Sequence, residues 1–173
     1  MAVVQLVMRV LKENHMENIY VSHAYFILQF VFVSLLFKEL IPNLRFRMLS
    51  KYLLIGIPII VSILFVFDPK AFWNFYIPEI IMCSIPLIGY IIYYLFISLE
   101  VKKSVWILVS IGLFVYLISS LLVYVGGNYL INNDTESGYI GQLWLVNNFI
   151  YLGYQVLITV EWYKNFRRKE VVL

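Results

Sequence analysis

Long apolar runs without alternation dominate this chain. LLIGIPIIVSILFVF (Leu53 to Phe67) and IIMCSIPLIGYIIYYLFI (Ile80 to Ile97) are two of five such stretches. A strand of a transmembrane barrel alternates apolar and polar positions, and these do not. Backbone groups in hydrocarbon must bond within their own segment, so runs of this kind fold as helices. The expected fold is therefore all-α. It is a polytopic transmembrane helical bundle with full spans at about 19–37, 52–67, 75–99, 105–125 and 143–162, forming one transmembrane domain over residues 1–173. Hydrophobic residues make up 62% of the chain and charged residues 13%. A soluble domain carries roughly 45–50% and about 25%, and a chain of this length has no way to cover the excess in water.

The basic residues between the runs alternate in density. Arg9 and Lys12 precede the first span; Lys38, Arg45, Arg47 and Lys51 follow it; Lys70 stands alone in the next segment. Lys102 and Lys103 come next, then a segment with none, then Lys164, Arg167, Arg168 and Lys169. Every second segment is the basic one, and those segments hold 10 of the 13 positive charges. This is the positive-inside pattern. It predicts an N-terminus outside and a C-terminus in the cytoplasm. Sides assigned this way carry 10 bases and 4 acids inside, against 3 bases and 6 acids outside. The inner excess suits an anionic leaflet. The bases are scattered over two loops and a tail without a nucleic-acid-binding motif, so the expected partners are the bilayer and another membrane protein or second copy, and no nucleic acid.

Met1 to Leu11 is apolar but too short to span, since a crossing takes about 20 residues. Its charges follow the apolar stretch, unlike those of a signal peptide. It reads as an interfacial helix or as the end of a longer span. Pro58 and Pro86 interrupt the second and third spans and should kink them. Asn74 is the expected N-cap of the third span, with Pro78 in its first turn. Gly126-Gly127 is the expected end of the fourth, and the polar segment from Gly126 to Gln142 reads as a mobile outer loop. Tyr20, Trp73, Tyr76, Tyr139 and Trp144 flank the outer ends, and Tyr52, Trp106, Trp162 and Tyr163 the inner ends, as interface anchors.

Polar groups inside hydrocarbon are costly, so each requires a reason. In the fifth span Trp144, Asn148, Tyr151, Gln155, Thr159 and Trp162 share one stripe at helical spacing, which is expected to face other helices. Such a stripe serves as packing glue or as the wall of a ligand cavity. In the third span Glu79, Cys83, Pro86, Tyr90 and Tyr93 share a face. Glu79 reads either as a headgroup-level carboxylate at a helix N-terminus or as a buried acid. His23, Glu79 and Asn147/Asn148 lie at similar depth, roughly 6–9 Å below the outer boundary at 1.5 Å per residue. His23, Glu79, Asn147, Asn148, Tyr151 and Gln155 are thus the candidate ligand-binding residues.

His15, Glu17, His23 and Glu79 match no metal-ligand spacing, and no HExxH, GxSxG or CxxC motif occurs. No catalytic residue, metal or cofactor is expected. Cys83, the single cysteine, reads as a small core residue. Asn133-Asp134-Thr135 is a formal glycosylation sequon.

Two segments carry a family resemblance. Trp144-Leu-Val-Asn147-Asn148-Phe-Ile-Tyr151 with the basic tail behind it, and Asn18-Ile-Tyr-Val-Ser-His23-Ala-Tyr25, resemble segments of uncharacterised bacterial multi-spanning membrane proteins of a seven-helix type, similar in architecture to the membrane input regions of sensors. The resemblance implies a bundle and no activity. Measured against it, the chain is expected to lack about one and a half helices at the start, which predicts a groove beside the first three spans, covered by Met1 to Leu11, by a second copy or by another protein. Three functions follow as expectations: a non-enzymatic sensing or ligand-binding component acting through a partner, a small transporter or channel component, and a structural subunit or truncated paralogue without ligand.

Overall fold

The computed structural model describes residues 19–74, 76–100, 106–132 and 137–167, together with Val7 and Val10. Five α-helices and one short 3-10 helix account for nearly all of them: α1 (Ile19–Leu40), α2 (Leu44–Phe67), the 3-10 helix (Pro69–Trp73), α3 (Ile77–Glu100), α4 (Ile107–Asn132) and α5 (Ser137–Arg167). The first four α-helices are long and apolar enough to cross a membrane. The fifth, at 31 residues, is the longest and the least apolar. The short apolar stretch before Ile19 lies outside the described residues, apart from Val7 and Val10, which are helical and exposed.

The first compact unit runs to Tyr90 and the second begins at Ile91, so α3 contributes to both. In the first unit, Ile41 to Asn43 turn the chain from α1 into α2. The Asn43 side-chain oxygen accepts from the Arg45 and Phe46 amides at 2.9 and 3.4 Å, satisfying two of the first-turn donors that every helix leaves open. Arg47 donates to the Lys38 carbonyl and pairs with Glu39, which clamps the same turn. This cap starts α2 eight residues before the expected Tyr52. The charges of Arg45, Arg47 and Lys51 read as loop in the sequence; they lie on the first two turns of the helix instead.

At the other end of α2, Asp68 closes the helix and Pro69 opens the 3-10 turn. Asn74 does not cap α3. Its side chain donates back to the Lys70 carbonyl at 3.1 Å and its amide to Ala71, closing the 3-10 helix. Pro78 does sit in the first turn of α3, where its missing N–H costs nothing.

In the second unit α4 packs along α5 as a hairpin. Gly126 and Gly127 do not end α4, which continues to Asn132, and α5 begins at Ser137. The expected loop is therefore helical over most of its length, and only 133–136, with the sequon, falls outside the described residues. Glycine weakens a helix by about 1 kcal/mol per residue in water. An opened backbone in an apolar environment costs more, so the helix persists.

Candidate functional site

The site grows from the helix ends of the first unit. A 3-10 helix only five residues long leaves its last carbonyls without backbone partners. One of them, the Phe72 oxygen, accepts a hydrogen bond from His23 Nε2 of α1 at 3.0 Å. The other ring nitrogen, Nδ1, meets Glu79 Oε2 from the first turn of α3. Both side chains are buried, His23 at 3% and Glu79 at 0% relative exposure. Glu79 is thus a buried acid, and it lies in the first turn of α3.

Phe72 stacks on the imidazole with centroids 5.3 Å apart, and Phe65 of α2 meets it edge-on at 4.8 Å. Trp73 stands edge-on to Phe72 at 5.7 Å and to Tyr20 at 6.1 Å. The pair is therefore walled by aromatic rings, one of which connects it to a tryptophan that is partly exposed.

These contacts limit where the protons can be. A carbonyl only accepts, so Nε2 carries a hydrogen. Nδ1 and Oε2 then hold one proton between them. Either Nδ1–H donates to a carboxylate, or a carboxylic acid donates to the neutral ring. The pair is net neutral in both arrangements, which is the form that hydrocarbon tolerates. The second carboxyl oxygen, Glu79 Oε1, is buried and has no hydrogen-bond partner among the described residues.

Cys83 lies one turn further along α3 and is buried and free, as expected of a small core residue. Among the described residues no three metal-ligating side chains converge.

The fifth helix corrects the sequence reading. Asn148, Thr159 and Trp162 of the expected stripe are exposed. The face that packs on α4 is turned by one residue, about 100°. It runs through Asn147, Tyr151, Tyr154, Leu157 and Glu161. Asn147 is buried and accepts from the Ser120 hydroxyl at 2.8 Å. Tyr116 of α4 lies against the Tyr151 and Tyr154 rings, at 5.3 and 5.7 Å. Buried Glu161 accepts from the Val109 amide at 2.7 Å, capping the first turn of α4 from a different helix. The side chains of Tyr154 and Leu157 approach Gly112, the one glycine among the described residues whose missing Cβ makes room for neighbours.

His23 and Glu79, two members of the expected outer layer, therefore meet. Asn147 is committed to Ser120, Asn148 is exposed, and Tyr151 and Gln155 are half-buried, with Tyr151 packed on Tyr116. The sequence reading missed Phe72, Ser120 and Val109, because a backbone carbonyl, a helix serine and a backbone amide leave no signature in a residue pattern. Glu161 was visible as an acid but was read only as a cytoplasmic charge.

No protein-family model, no curated protein and no solved structure matches this chain.

Proposed function

We propose that the chain is an integral protein of a bacterial cytoplasmic membrane with five spans, its N-terminus outside and its C-terminus in the cytoplasm. Its function is non-enzymatic: it senses a condition at its outer layer and passes that state to a partner protein or a second copy. The His23–Glu79 pair is the responsive element, and the proton is the ligand that its geometry admits. One observation carries this reading. Two ionisable side chains, costly anywhere in hydrocarbon, are buried against each other near the helix ends, and Glu79 Oε1 has no hydrogen-bond partner among the described residues.

Adding or removing a proton changes the net charge of the pair by one unit in an apolar wall. The resulting shift in interaction energy is what a two-state element needs in order to respond. Phe72 links the pair to Trp73 through the carbonyl that holds His23 and through the ring that Trp73 touches. The fifth span is assigned to α5, and the topology to the charge alternation. Pro58 and Pro86 within α2 and α3 favour a second reading, a small proton-linked transporter.

The test uses Trp73 fluorescence in lipid nanodiscs, with Trp106, Trp144 and Trp162 replaced by phenylalanine. The wild-type pair should give a pH-dependent change that Glu79→Gln removes while the protein stays folded. A Glu79→Gln variant that tracks the wild-type pair across the same pH range would refute the assignment. Proton flux in sealed liposomes would favour the transporter reading.

A further inference from the structure

A second polar cluster lies deeper in the first unit and takes no part in the pair. Ser34 of α1, Ser50 of α2 and Tyr90 of α3 are buried, at 0%, 0% and 4% relative exposure. Ser34 is eleven residues beyond His23, and Tyr90 eleven beyond Glu79. Eleven residues are three helical turns, so each lies on the same face as its counterpart, about 16 Å further along. Ser50 and Ser34 are the hydrogen-bonding side chains that face the Tyr90 hydroxyl. Yet none of the three oxygens makes a bond of proper geometry.

The chain supplies its own comparison. Ser62, Ser110 and Thr159 each donate to the carbonyl four residues before them, at 2.7 to 2.9 Å. That is how a helical hydroxyl satisfies itself when nothing else is on offer. Ser34 and Ser50 do not use it, although both sit inside helices. The Tyr90 ring is held edge-on by Phe46 at 5.0 Å, which fixes where its hydroxyl points. Three orphaned buried hydroxyls would each leave a desolvation cost with nothing to offset it.

We propose that Ser34, Ser50 and Tyr90 form a binding site for one water molecule that joins the three helices. The inventory of donors and acceptors selects this guest. The three side chains bring three O–H donors and have lone pairs to spare, and a water can accept from two of them and donate to the third. Buried waters typically make about three such bonds. A bare ion would bring an unbalanced charge into hydrocarbon, with no ionised side chain in the cluster to meet it. Between this cluster and the pair lie Phe30, Val61 and Leu87, all essentially inaccessible. The water is therefore a joint between helices and not a step on a path from Glu79. Its place does not depend on the sensing role of the pair.

Two measurements on the full chain in lipid test it. In the wild-type protein, solid-state NMR should show magnetisation passing from water to the Tyr90 Cζ carbon. Absence of that transfer overturns the proposal. In thermal unfolding, Tyr90→Phe and Ser34→Ala should each lower the midpoint by about 2–4 °C, the usual size for one lost bond in a chain of this length. The double variant should lose less than the sum, because both residues hold the same guest. An unchanged or raised midpoint for Tyr90→Phe is the result for a dry, orphaned hydroxyl and overturns it too. Lower midpoints without water transfer would mean that the hydroxyls bond one another directly, which is equally fatal.

Discussion

His23 Nδ1 and Glu79 Oε2 are bonded across 56 residues of sequence, and Nε2 of the same ring is anchored on the Phe72 carbonyl. The anchor matters as much as the bond. It fixes the ring orientation and one proton, so the remaining contact must hold a single proton that either group can own. Without the 3-10 helix behind it, neither the ring orientation nor the Nε2 proton would be fixed by this contact.

The first prediction separates charge from packing at this pair. His23→Phe leaves Glu79 buried with neither oxygen bonded and should destabilise by about 3–5 kcal/mol. Glu79→Gln should be much milder, because its amide still donates to Nδ1. A double change, His23→Phe with Glu79→Met, removes both polar groups and should recover most of the loss. Unfolding in mild detergent ranks the three. Equal losses for His23→Phe and the double variant would mean that packing, and not the polar bond, holds the site.

The second prediction concerns orientation. The charge alternation puts Asp134 outside and Lys102 and Lys169 inside. Single cysteines at these positions in a Cys83→Ser background can be probed with an impermeant thiol reagent on intact cells. Asp134→Cys should react, and Lys102→Cys and Lys169→Cys should react only after permeabilisation. The opposite pattern refutes the orientation.

The third prediction follows from the Glu161 cap. Its carboxylate accepts from the Val109 amide in the first turn of α4. Glu161→Ala orphans that buried donor and should cost about 1–3 kcal/mol. Glu161→Gln retains an acceptor and should cost less. Amide hydrogen exchange at Val109 reads the effect locally, and unchanged protection in Glu161→Ala would dismiss the cap.

The fourth prediction sets two glycines apart. A Cβ on Gly112 would stand 2.7 Å from Leu157 Cδ1 and 3.2 Å from Tyr154 Cδ2. Gly112→Val should therefore loosen the α4–α5 hairpin. A Cβ on Gly89 meets nothing within 4 Å. Gly89→Ala should stabilise by about 0.4–1 kcal/mol through helix propensity and the unfolded chain. A Gly112→Val midpoint that is unchanged or raised would show that the close approach at Gly112 is not real.

The helices were readable because apolar runs of about 20 residues admit little else. Their ends were less so. Arg45, Arg47 and Lys51 looked like loop because charge marks interfaces, whereas the Asn43 cap and the Arg47 clamp carry the helix two turns beyond the apolar run. Gly126-Gly127 looked like a stop, but backbone satisfaction outweighs glycine's propensity. Of the site, the equal depth of His23 and Glu79 was legible from counting residues, and their meeting was not. Which amide of Asn147-Asn148 is buried was read one residue off, because polarity alone does not say which neighbour has Ser120 opposite it. The Phe72 carbonyl leaves no mark in side-chain identity at all.

The central claim is that the His23–Glu79 pair gains or loses a proton within the membrane as the pH changes, and that this change of charge is what the protein responds to. Infrared difference spectroscopy between acid and neutral buffers, on the protein in lipid, tests it most directly. The wild-type protein is predicted to show a carboxyl C=O band that disappears in Glu79→Gln and shifts when His23→Gln changes the bonding partner. A spectrum that is the same for the wild-type protein and Glu79→Gln would contradict the account.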